Sequence, residues 1–233
     1  NNINGPSVSV ASSNDVSCNG GNNGDAKVTA NGGTSPFTYL WSNGATQSII
    51  SNLTAQVYSV SVTDNNNCIG ITSVTINEPS PLSLNGSSSD ISCNGAGDGS
   101  ASLTVNGGTS PYTFNWNNGA TSASLSGLGT GTYNVTVTDD NSCTASSSVL
   151  VNEPTLLALS SSSSNISCNG NNDGEVSANV SGGTSPYSYL WSNGATSASL
   201  SGLNPGTYEV TVTDNNGCTD MANSIISEPA VLA

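Results

Sequence analysis

Histidine and arginine are missing from this 233-residue sequence, and Lys27 is its one basic side chain. A nucleic-acid partner needs clustered Lys or Arg to neutralise phosphates, and an anionic lipid surface makes the same demand, so both are excluded. Without His, a Ser/His/Asp hydrolytic triad cannot be assembled, and general acid/base chemistry near neutral pH loses its usual carrier. No enzymatic activity is expected. The sequence also has no apolar run able to span a bilayer, and no basic-then-apolar start of the signal-peptide kind. It reads as an interior segment of a longer protein, without direct membrane insertion.

What is present is polar, acidic and regularly patterned. Only 7% of residues are charged, and 15 of them are Asp or Glu, for a formal net charge of −14. Ser-, Asn-, Thr- and Gly-rich chains of low charge can be disordered. Here Val, Ile, Leu, Tyr and Trp recur at spacings that give the chain a face to bury.

The chain repeats itself every 75 residues without an insertion. Cys18, Cys93 and Cys168 form one series, and Cys68, Cys143 and Cys218 another. Between them, G-G-T-S-P recurs at Gly32–Pro36, Gly107–Pro111 and Gly182–Pro186, each followed by an aromatic residue. Trp41, Trp116 and Trp191 each open W-[SN]-N-G-A-T, and Tyr58, Tyr133 and Tyr208 each open Y-x-V-x-V-T-D. Every unit closes on Glu-Pro, at Glu78, Glu153 and Glu228. A unit this long, with its own pair of cysteines, is a small domain rather than a coil of a solenoid. The expected domains are 1–79, 80–154 and 155–233.

Within the first unit, strand-like runs fall near Val8–Ala11, Ala26–Ala30, Phe37–Trp41, Gln47–Ile50, Tyr58–Thr63 and Ile69–Ile76, bounded by Asn, Gly, Ser or Pro clusters. Tyr58, Val60 and Val62 alternate with Ser59, Ser61 and Thr63, which makes one face dry and one wet. Asn43-Gly44 has the chemistry of a tight hairpin turn. The fold class is therefore all-β: three tandem immunoglobulin-like or fibronectin-like β-sandwiches in an extended rod. Trp41, Trp116 and Trp191, placed on a central strand, and Tyr58, Tyr133 and Tyr208, placed as tyrosine corners, are the expected core.

Six cysteines without His and without C-x-x-C spacing point to disulfides rather than zinc, and hence to an oxidising, extracellular compartment. The simplest pairing closes each unit on itself: Cys18 with Cys68, Cys93 with Cys143 and Cys168 with Cys218. Each bond would restrict the unfolded chain by about 4 kcal/mol. The alternative joins Cys68 to Cys93 and Cys143 to Cys168, and leaves Cys18 and Cys218 for flanking units.

The carboxylates also recur in register. Asp64, Asp139 and Asp214 follow the late strand, Glu78, Glu153 and Glu228 stand at the junctions, and Asp98 and Asp173 occupy a Gly/Asn loop where the first unit has Asn23. Oxygen-rich positions of this kind are candidate Ca²⁺ ligands. The competing reading is that Asp caps turns through its own backbone while Glu is solvated. No other cofactor is implied by any residue pattern.

The order C-N-G, G-G-T-S-P-[FY], W-[SN]-N-G-A-T, Y-x-V-x-V-T-D-x-x-x-C and E-P resembles the SprB repeat of giant adhesins of Bacteroidetes bacteria. The resemblance implies a cell-surface filament or adhesin exported by the type IX system, in some members serving gliding motility. The expected function is a structural extender whose partners are neighbouring repeats of the same chain. In the alternative, the repeats themselves bind surface glycans or other cell-surface proteins.

Overall fold

The computed structural model describes residues 5–231, and the described residues contain strands and no helix. Each 75-residue period contributes six strands. The first six are β1 (Ser7–Asn14), β2 (Gly24–Asn31), β3 (Thr38–Trp41), β4 (Ile49–Leu53), β5 (Gln56–Thr63) and β6 (Ile69–Ile76). The next six are β7 (Ser83–Ser89), β8 (Gly99–Asn106), β9 (Thr113–Trp116), β10 (Ser124–Leu128), β11 (Gly131–Thr138) and β12 (Thr144–Val151). The last six are β13 (Ala158–Ser164), β14 (Gly174–Ser181), β15 (Ser188–Trp191), β16 (Ser199–Leu203), β17 (Gly206–Thr213) and β18 (Thr219–Ile226).

The strands form three-stranded sheets in the orders β1-β2-β4 and β3-β5-β6, and the pattern recurs as β13-β14-β16 and β15-β17-β18. This is the A-B-E and C-F-G arrangement of an immunoglobulin-like sandwich. The inward faces of both sheets meet in one core. In the first repeat Ala26 and Val28 from β2 and Ile50 from β4 pack with Trp41, Val60 and Ile76 from the opposing sheet. In the third, Val176 packs with Trp191, Val210 and Ile226 in the same way. Burying such side chains fully is worth about 1.5–3 kcal/mol each, so the period-2 alternation of the late strand fixes its register.

The expected tryptophans are core residues: Trp41, Trp116 and Trp191 are 2%, 2% and 1% exposed. Each indole Nε1 donates 2.8 Å to a backbone carbonyl six residues on, at Gln47, Ser122 and Ser197. Tyr58, Tyr133 and Tyr208 donate their hydroxyls to the carbonyls of Thr54, Gly129 and Asn204, the tyrosine-corner bond. Of the three, Tyr58 is buried and the other two are half-buried.

Two expectations need correction. The tryptophan strand is at a sheet edge, because β5 rather than β3 is central. The W-S-N-G-A-T segment does turn tightly: Trp41 N donates to Ala45 O and Gly44 N to Trp41 O, with Gly44 at φ +86°. The chain beyond it crosses to the other sheet, where β4 pairs with β2, so the turn is a corner between sheets and not a hairpin within one.

The chain divides into two compact units, each holding one disulfide. One comprises residues up to Asn85 with Leu103–Ala123 and Asn134–Ser147, and the other Gly86–Ser102, Ser124–Tyr133 and Ser148 onward.

Candidate functional site

The repeated motifs that lie outside the strands collect into two loop clusters. One is built around C-N-G, between the first and second strands of a repeat. Val16 N donates to Asn77 O, and Asp15 accepts the Asn77 N–H, which ties the loop to the end of β6. Asn19 Nδ2 then reaches Pro79 O at 3.1 Å, and Gly20 N donates to Glu78 Oε2 at 2.6 Å. C-N-G and E-P are thus one lock made from residues sixty apart. The same bonds form between Asn94 and Pro154, Gly95 and Glu153, Asn169 and Pro229, and Gly170 and Glu228. Asp98 and Asp173 brace the loop from within by accepting the backbone N–H of Ser92 and of Ser167. The Ser hydroxyl hydrogen bond to each carboxylate, followed by the backbone bond, holds both groups below the ordinary Asp range. Asn23 accepts the equivalent bond from Ser17, so an amide oxygen suffices there.

The second cluster joins G-G-T-S-P to the T-D-x-x-x-C loop. Asp64 is 5% exposed, and its carboxylate accepts three backbone N–H bonds of 2.9 Å, from Thr34, Asn66 and Cys68. Asp139 does the same with Thr109, Asn141 and Cys143, and Asp214 with Thr184, Asn216 and Cys218. The Thr34 bond foremost, reinforced by Cys68 and Asn66, lowers the Asp64 pKa against the opposing effect of burial. For Asp214 burial is the largest influence and pushes upward, but the backbone bonds from Thr184, Cys218, Asn216 and Gly217 together outweigh it. Gly33, at φ +69°, sits where a Cβ would lie 3.0 Å from Asp64 Oδ2, which explains the glycine of the motif. The candidate calcium ligands are therefore dispersed between two clusters and engaged with backbone donors. Among the described residues, no three His, Cys, Asp or Glu side chains gather in a way that could hold a metal ion.

The two clusters meet between consecutive repeats, and there the cysteines pair. Cys18 bonds to Cys143 and Cys93 to Cys218, each with Cα atoms 5.7 Å apart and 125 residues between partners. Asn141 Nδ2 bridges Thr109 Oγ1 and Ser17 O across the first joint, and Asn216 Nδ2 bridges Thr184 Oγ1 and Ser92 O across the second. The main chain crosses at the same place. Gly108 N donates to Ser80 O and Gly183 N to Thr155 O. A Cβ on Gly107 would lie 2.1 Å from Pro81 O, and one on Gly182 1.9 Å from Leu156 O, so only glycine lets the linker lie this close.

This overturns both pairings expected from the sequence. Cys18 precedes β2 and Cys68 precedes β6, at opposite ends of eight-residue strands. Such strands span roughly 25 Å, whereas a disulfide requires Cα atoms within about 7 Å. A bond inside one repeat is thus geometrically barred. The alternative of Cys68 with Cys93 fails as well, because the chain leaves a repeat at its C-N-G end and meets the T-D-x-x-x-C end of the next. Cys68 and Cys168, both expected in disulfides, are free thiols here, half-buried and exposed respectively. The available signal was that the runs Ala26–Ala30 and Tyr58–Thr63 separate the two cysteines of a unit; in the structure they extend to the eight-residue strands β2 and β5.

Paired A-B-E and C-F-G sheets, a buried tryptophan and a tyrosine corner define a tandem immunoglobulin-like β-sandwich protein. The SprB repeat model matches it three times, over residues 10–46, 85–121 and 160–196, and the chain belongs to the SprB repeat family. Each match runs from the first strand through C-N-G and G-G-T-S-P to the W-[SN]-N-G-A-T turn, and so includes the first cysteine of a repeat but not the second. No curated protein matches the chain. Similar solved structures include one from "Structural basis for Dscam isoform specificity", 10% identical over 96% of this chain and 73% of that one, TM-score 0.32. The crystal structure of DIP-gamma IG1+IG2 is 13% identical over 64% of this chain and 98% of that one, TM-score 0.33. That of Dpr2 Ig1-Ig2 in complex with DIP-Theta Ig1-Ig3 is 9% identical over 95% and 99%, TM-score 0.30. The fold assignment rests on strand order and core packing rather than on these likenesses.

Proposed function

We propose that the chain is a structural extender of a large cell-surface adhesin, with domains at 1–79, 80–154 and 155–233, in which each joint between repeats is covalent twice over. The disulfide between successive repeats carries this reading. A domain that only needed stability would gain it from a bond within itself, whereas a bond placed at the joint acts on the connection between domains. Disulfides belong to an oxidising environment, which agrees with an extracellular position. The composition offers no catalytic residue set. Among the described residues every aromatic side chain is buried or half-buried. A role in gliding motility and export by the type IX system are implied by the family alone, whereas the partnership with neighbouring repeats is supported by the disulfides and hydrogen bonds at the joints.

The mechanical consequence is specific. Because the 18–143 and 93–218 loops overlap, the shortest covalent route from end to end uses roughly a third of the residues. Stretching a single oxidised chain from its termini until every strand has unfolded should give a contour length on the order of 300 Å, rising to about 800 Å after reduction. Equal lengths before and after reduction would defeat the extender reading in this form.

A further inference from the structure

Two joints are made within the chain, and two half-joints are left over. At the Cys168 end, Gly170 N and Asn169 Nδ2 hold Glu228 and Pro229 as their counterparts do at Cys18 and Cys93. Cys168 itself is exposed, beside a hollow of about 450 Å³ lined by Ser167, Cys168, Asn169, Pro229, Ala230 and Val231. The equivalent place at the Cys93–Cys218 joint, next to Pro154, Thr155 and Leu156, is lined also by Gly183, Asp214, Gly217 and Cys218 of the following repeat. At the Cys68 end, Asp64 organises the loop as Asp139 and Asp214 do. Asn66 Nδ2 donates to Thr34 Oγ1, but the second bond that Asn141 and Asn216 make, to a Ser carbonyl of a C-N-G loop, has no counterpart here among the described residues.

We infer that these two ends are complementary docking surfaces, each taking the opposite end of another SprB repeat, with Cys168 of one joining Cys68 of another and Asn66 donating to Ser167 O. The inference rests on the joint described above. It does not follow from the thiols alone, because the same residue set forms the bond twice within this chain. A second copy of the chain supplies both ends. Formation of the bond removes one proton and one electron from each thiol, and oxidised glutathione takes up both electrons and both protons as it is cleaved to two reduced glutathiones.

The test uses two full-length variants, Cys68→Ser and Cys168→Ser, neither of which can chain, mixed in equal amounts in a glutathione redox buffer. The expected product on a non-reducing gel, confirmed by peptide mapping, is the Cys168–Cys68 heterodimer, exceeding either homodimer at least tenfold. An additional Asn66→Ala substitution in the Cys168→Ser partner should slow its formation severalfold. Homodimers in statistical proportion, or no dimer, would overturn the inference. Mapping Cys18–Cys143 in the same samples separates that failure from failure of the joint itself.

Discussion

The loop clusters at the ends of a repeat and the outward face of its β3-β5-β6 sheet behave in opposite ways. At the ends, the hydrogen bonds of Asp64 recur at Asp139 and Asp214, and those of Glu78 recur at Glu153 and Glu228. On the outward face, the cross-strand row Leu40–Ser61–Ile71 of the first repeat becomes Leu190–Thr211–Met221 in the third. In the second repeat Asn115 and Thr136 are paired, and Thr136 bonds to Ser146. Leu40 and Ile71 are 57% and 72% exposed, so this face drifts between apolar and polar at little cost. The difference teaches that the repetition is held by the joints and the core, and is loose where nothing is joined.

The strongest way to break the comparison is to cut a joint. Cys143→Ser removes closure of a 125-residue loop, worth about 5 kcal/mol in the chain-entropy model when taken alone. Urea unfolding should show a loss of several kcal/mol. A single protease nick between residues 19 and 92 should then release a fragment that the parent retains until reductant is added. Next in size is the core: Trp41→Ala should cost about 3–5 kcal/mol, while Leu40→Ser beside it should stay within about 0.5 kcal/mol. Comparable losses at both positions would erase the contrast between inside and outward face.

Acid gives the smallest and most graded test. The pKa of Asp64 and of Asp214 is lowered in the folded chain. Their stabilising effect is therefore fully present above the unfolded-state value, near 4, and is lost as pH falls from there through the lowered folded-state values. The melting temperature should drop over that window in the parent, and by less in Asp64→Asn, whose neutral amide has no proton to gain. An identical acid profile for parent and variant would remove Asp64 from the account.

Much of this was legible in the residues. The run Ile69–Ile76 is β6 as read, Tyr58–Thr63 lies within β5, and Tyr58, Val60 and Val62 form the buried side of that strand. The sandwich class and the buried tryptophans followed from alternation and turn chemistry, which are local. Two features were not local. Which sheet receives the chain after Trp41 depends on packing of the whole repeat, and so the corner at Asn43-Gly44 was read as a hairpin. The cysteine partners were hidden by the repetition itself. Cys68 and Cys143 have nearly the same neighbours in sequence, so only the distance from one end of the sandwich to the other tells which of them Cys18 can reach. The roles of C-N-G and E-P were equally hidden, because each is half of a contact made with the other.

Peptide mapping of the native, oxidised chain under non-reducing conditions tests the central claim most directly. The account predicts linked peptides containing Cys18 with Cys143 and Cys93 with Cys218, and alkylatable thiols at Cys68 and Cys168. A peptide linking Cys18 to Cys68 would contradict it.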